Sequence, residues 1–154
     1  MNLIKINDHY LIFQFTPGQK VVFERLLAKY PVSAKSFHTI SRTGKEADLE
    51  EQQEMLDEAL AATRRDNRRQ LSNFLREPGR FEQFENNWHL KILPRHLTML
   101  MQVFNEIRVG YWYQLDCPTE EDLPEFSSAN AEIILFMELC GHYQMVLLNA
   151  QVDT

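Results

Sequence analysis

At 154 residues the chain has room for one domain, residues 1–154, and a chain of this size buries about two-thirds of its unfolded surface without a disulfide or metal staple. Hydrophobic residues are 44% and charged residues 25%, the balance of a globular protein, which excludes collagen-like, disordered and disulfide-scaffold classes. Against 22 Asp and Glu stand 16 Lys and Arg, a net charge of −6, which argues against nucleic acid or an anionic membrane as the main partner.

The first fifteen residues read as a β-hairpin. Leu3, Ile4 and Ile6 lead into Asn7-Asp8, and Tyr10, Leu11, Ile12, Phe13 and Phe15 follow, all residues that suit strands. Thr16-Pro17-Gly18-Gln19 then starts a helix: Thr16 can cap it, Pro17 suits the first helical position, and Gln19 can complete a capping box. Val22, Phe23, Leu26, Leu27 and Tyr30 repeat at helical spacing before Pro31.

Residues 31–45 read as a loop. A second, long helix is expected from Glu46 to about Glu77, with Leu49, Leu56, Leu60, Leu71 and Phe74 on one stripe. Its acids come first and its arginines last, an order that suits the helix dipole. Asn67 falls on the apolar stripe, so the alternative to one long helix is a kink or a second helix beginning near it. Residues 80–87 read as polar and irregular. Trp88, Leu90 and Ile92 alternate with His89 and Lys91 as a short strand. Pro94 opens a third helix to about Leu115. After a loop with the acidic run Glu120-Glu121-Asp122, Ser127 or Ser128 caps a fourth helix from about Ala129 to Asn149. The fold expected is α+β and mostly helical: four helices with a small antiparallel sheet made from the N-terminal hairpin and the 88–92 strand.

No dinucleotide, P-loop, nucleophile-elbow or zincin signature is present, which gives no basis for a catalytic role or a cofactor. Glu138 and His142 share a helical face at i and i+4, but Cys140 points away from it, so the metal-ligand set is incomplete. They read as a helix polar pair. Cys117 and Cys140 form neither a disulfide framework nor a zinc knuckle. Arg64, Arg65, Arg68 and Arg69 read as a solvated helix end facing away from the leucine stripe, with phosphate or acidic-partner binding as the alternative. Of Tyr111, Trp112 and Tyr113, Tyr113 is expected to face outward.

On the third helix Leu97, Met101, Phe104, Tyr111 and Leu115 form an apolar stripe, with Arg108 near its middle. A buried arginine cannot shed its charge and must be met by acceptors. Glu138 is the expected partner, with Asn105 at the edge of the same face. The alternative is an anion-binding Arg108 in a pocket. The fourth helix is apolar nearly all round, from Ile133 to Leu148, with Glu138 and His142 as a narrow polar strip. Such a helix is central to a bundle or half covered by a partner. A homodimer is the commonest closed solution.

Phe104-Asn105-Glu106-Ile107-Arg108-Val109 resembles the Leu-Asn-x-hydrophobic-Arg-hydrophobic signature of an uncharacterised bacterial domain family. Its actinobacterial members often sit beside a gene for a ClpS-type protease adaptor. The likeness extends over Glu46–Leu75 and Ala131–Leu148, while Gly110 and Tyr111-Trp112-Tyr113 depart from it. The resemblance implies the helical fold and a link to regulated proteolysis, with no activity attached.

Lys5, Asn7, Asp8 and His9 interrupt the apolar residues that a leader would need. The expectation is therefore a cytoplasmic, non-enzymatic, homodimeric protein-interaction module, without cofactor or metal and without nucleic acid or membrane as partner. The alternative is a small anionic-ligand binder or enzyme with a pocket around Arg108, Asn105 and Glu138.

Overall fold

The computed structural model describes residues 1–7, 9–33, 46–119, 122 and 124–152. Two hairpins build its sheet. Strands β1 (Asn2–Asn7) and β2 (Tyr10–Phe15) form the first, β3 (Phe81–Phe84) and β4 (Asn87–Ile92) the second. β2 pairs with β4, giving an antiparallel order β1-β2-β4-β3. Alternation along β2 and β4 sends Leu11, Phe13, Phe15, Leu90 and Ile92 to one face, where all are buried. The sheet is one strand larger than expected. Segment 80–87, read as irregular, contains β3 and its turn. Phe81 reaches under Phe15 and Phe23, with ring centroids 6.5 and 6.3 Å away. The rest of β3, Glu82, Gln83 and Phe84, is a solvated edge, with Phe84 stacked on the His89 ring. Its turn uses Glu85 at φ 53°, where the usual turn signal is glycine or asparagine.

Helix α1 (Pro17–Leu27) starts as the sequence reads. Gln19 N–H donates to Thr16 Oγ1 at 3.2 Å, and Thr16 N–H donates to Gln19 Oε1 at 3.1 Å. Its buried Phe23 centres the core, within 5.0 Å of Phe15, 6.0 Å of Phe104 and 5.3 Å of Tyr143 by ring centroid. The apolar face of the sheet therefore meets α1, α3 (Pro94–Gln114) and α4 (Ala131–Val152). Asn130, directly before α4, accepts the Ser127 N–H at 2.8 Å and donates to Glu125 O, so it sits where a serine cap was expected.

Helix α2 is one unbroken helix, Glu46–Arg76. Asn67 does not kink it. The side chain is buried but satisfied, donating Nδ2–H to Gln102 Oε1 at 3.0 Å on α3. Leu71 and Phe74 bury beside it, and Phe74 meets the His96 ring edge-on at 5.1 Å. The loop expected over 31–45 lies, from residue 34 onward, outside the described residues, as do Glu120 and Glu121 of the acidic run.

The arginine patch on α2 divides. Arg65, Arg68 and Arg69 are exposed, as expected. Arg64 is not: it is 9% exposed and pairs with Glu106 on α3. Arg64, Asn67, Leu71 and Phe74 follow the spacing of a packing seam, so Arg64 continues the buried stripe instead of opposing it. Tyr30, at the exit of α1, lies in the same polar layer. Its hydroxyl is raised above the usual tyrosine range, first by burial and then by the Glu106 carboxylate, with Asn67 and Arg64 pulling the other way. Arg80 is a second buried arginine. Its Nε–H donates to Phe74 O at 3.2 Å, and its other donors go to Lys91 O and Glu77. It thus ties the end of α2 to β4.

Candidate functional site

Helices α3 and α4 pack antiparallel. Phe104 meets Tyr143 at 5.4 Å, Tyr111 meets Phe136 at 6.2 Å, and Gln144 Nε2–H donates to Met101 O at 3.3 Å. This contact buries one stripe of α4: Phe136, Cys140, Tyr143, Leu147 and Ala150. Burial pushes the Cys140 thiol up to about 12.

The opposite face of α4 stays open. Leu135 is 50% exposed, Met145 55% and Leu148 49%. By length and composition alone, Ala131–Ala150 is apolar enough to cross a membrane, and 22% of its most apolar stretch is buried within the chain. The expectation of a helix covered on more than one side is therefore not met by this chain itself.

A groove of about 670 Å³ runs along that open face. Arg108, Val109 and Trp112 of α3 form one wall, and Met137, Glu138, Gly141, His142 and Met145 of α4 the other. Gly141 shapes it. A Cβ there would lie 4.0 Å from Arg108 Nη1, so the guanidinium lies across bare helix backbone. Trp112 is fixed in place: its Nε1–H donates to Pro118 O at 3.0 Å, and Cys117 N–H returns to Trp112 O at 3.0 Å. That turn runs through positive φ at Asp116 (59°) and Cys117 (55°).

The structure corrects the expected placement of Arg108. It is exposed, not buried in the core, and it forms no ion pair with Glu138. Leu100, Val103 and Ile107 explain the difference. With them included, the buried face of α3 centres between Leu100 and Ile107, roughly 90° from Arg108 at 100° per residue. Arg108 lies on the shoulder of the helix, at the mouth of the α3–α4 seam. Glu138 does share the groove with it, whereas Asn105 is exposed one turn earlier and does not line it. Trp112 faces the groove and is 37% exposed, and Tyr113 is 38% exposed. Of the three consecutive aromatics only Tyr111 enters the core.

His142 lines the groove beside Glu138, but His89 and His96 lie elsewhere, on β4 and at the start of α3. Among the described residues no three His, Cys, Asp or Glu side chains gather as a metal-binding group. Met145, Gly141 and Trp112 were missed as groove residues. Arg108 and Trp112 on α3, and Gly141 and Met145 on α4, stand at i and i+4, a shared helix face that carries no hydrophobic stripe to mark it. No protein-family model, curated protein or solved structure matches the chain.

Proposed function

We propose that this chain is a cytoplasmic protein-interaction module, not an enzyme, and that it works through the open face of the α3–α4 pair. One observation carries the reading. Leu135, Met145 and Leu148 stand exposed on a single helix, beside a groove in which Trp112 is anchored by its hydrogen bond to Pro118 O and Arg108 and Glu138 have no ion-pair partner among the described residues. Contiguous exposed apolar surface with polar groups at its rim is characteristic of docking sites, and a pre-positioned aromatic next to an arginine is the usual make-up of an energetic hot spot. The resemblance carried by Phe104–Val109 points to regulated proteolysis as a setting for such a partner. The test is a photo-reactive residue at position 145, compared in cells with the same residue at the solvated position 69. The expected result is a discrete adduct from position 145 alone, lost in Trp112→Ala. The absence of any adduct overturns the proposal.

A second reading, a binder of small anions or an enzyme built around Arg108, draws on the groove volume and on a guanidinium with no ion-pair partner among the described residues. Glu138 on the facing wall counts against it. Calorimetric titration with inorganic phosphate and with acetate tests it, the supporting result being binding that disappears in Arg108→Gln.

A further inference from the structure

Resting on the interaction reading, we infer that the occupant of this face is a second copy of the chain, docked about a two-fold axis so that Arg108 of each copy meets Glu138 of the partner subunit. A two-fold interface uses one patch twice, so the patch must carry its own complement. The groove does. It holds one positive and one negative side chain, both exposed and neither ion-paired among the described residues, beside the polar His142 and the apolar Val109, Trp112, Met137 and Met145. An acidic partner would answer Arg108 and repel Glu138, and a basic one would do the reverse. A second copy satisfies both charges with the same contact made twice.

The surrounding geometry agrees. A two-fold axis crossing α4 sets the two α4 helices antiparallel, which opposes their dipoles favourably. Gly141 carries no side chain that would hold the Arg108 guanidinium off α4. Met145 and Leu148 continue the same apolar stripe and extend the contact along the helix. The chain's net charge of −6 is no obstacle. Helix α2 packs on a different side of α3, where Gln102 and Glu106 face α2 while Phe104 faces α4.

The test is charge reversal, read by light scattering and native mass over a concentration series reaching tens of micromolar. Wild-type protein is expected to be dimeric. Arg108→Glu and Glu138→Arg should each raise the dimer dissociation constant about tenfold or more. Both positions are exposed, so unchanged circular dichroism and melting will show that the fold is intact. Mixing the two single variants should restore a dimer, because each then supplies the charge the other lacks, and the double variant should dimerise alone. A monomeric wild type, or single variants that dimerise normally, overturns the inference. Its failure is separable from that of the interaction reading through the position-145 cross-link. An adduct of twice the chain mass supports the second copy. An adduct of any other mass overturns the second copy and leaves the interaction reading standing, and no adduct defeats both. Monomeric protein that sediments with phosphatidylglycerol vesicles assigns the face to lipid and overturns the dimer.

Discussion

Arg64 Nε–H donates to Glu106 Oε2 at 2.7 Å across the α2–α3 contact, with the side chains 10% and 19% exposed. This arginine–carboxylate pair joins α2 to α3, whereas one joining α3 to α4 was expected. One helical turn along, Asn67 and Gln102 repeat the polar contact at 3.0 Å. Leu71 and Phe74 complete the seam with apolar packing.

Arg64→Ala should destabilise the protein by about 3 kcal/mol, because it strands Glu106 away from full solvation. The double variant Arg64→Ala/Glu106→Ala should cost less than the sum of the single changes. Arg65→Gln, Arg68→Gln and Arg69→Gln should each fall within about 1 kcal/mol of wild type. Urea unfolding of the set checks this, and equal effects at positions 64 and 65 would contradict it.

Two glycines should respond in opposite directions. A Cβ at Gly110 would sit 2.8 Å from Val32 Cβ and 3.1 Å from its Cγ1, whereas one at Gly18 meets nothing within 4 Å. Gly110→Ala should lose about 1–3 kcal/mol to overpacking, outweighing the roughly 1 kcal/mol that alanine gains over glycine in a helix. Gly18→Ala, at the start of α1, should be neutral or stabilising by up to about 1 kcal/mol. Thermal melting separates the two.

His96 makes stability acid-sensitive. Burial, with Arg80 and Arg95 nearby, lowers its pKa from 6.5 to about 4. The folded state therefore binds the proton less readily than the unfolded chain does. Between these two values the unfolded state holds more protons, so stability falls as pH drops through that window. Unscreened, a shift of this size is worth about 3 kcal/mol, and solvent screening of the half-buried ring brings the loss attributable to His96 to about 2 kcal/mol or less. His96→Gln should flatten this part of the stability–pH curve, and an unchanged slope in the variant would refute the assignment.

The two thiols should differ in reactivity. Cys140 is fully buried, and its pKa of about 12 leaves almost no thiolate at neutral pH. Cys117 is partly exposed in its turn. A thiol-specific alkylating agent under native conditions should label Cys117 alone, with Cys140 reacting only after denaturation. Mass spectrometry of tryptic peptides reads the result.

What could be seen in the sequence was local chemistry. The Thr16–Gln19 box involves two residues three positions apart, and it formed as their side chains dictate. β3 was hidden because an edge strand needs only one anchoring residue, Phe81, and its turn used Glu85 where a glycine would have signalled it. The two arginines were exchanged for a different reason. Arg64 lies on the α2–α3 seam and is met there by Glu106, whereas Arg108 lies off the buried face that Leu100, Val103 and Ile107 set, although α4 carries Glu138 nearby. The α3–α4 groove depends on a glycine that leaves space, which no hydrophobic periodicity records.

The central β2–β4 ladder pairs Leu11 with Ile92, residues separated by more than half the chain. Each hairpin can close by itself, but a lone two-stranded hairpin is marginal in water. During synthesis at about 5–20 residues per second, β2 waits on the order of ten seconds for β4 to be made. Through that interval Phe13 and Phe15 form a sticky, half-finished surface. The nearest cover is α1, whose Phe23 lies against Phe15 and whose first turn is capped by its own residues. The earliest aggregation risk of this chain thus falls on the ribosome, and the Thr16 cap guards against it before any distant part of the fold exists.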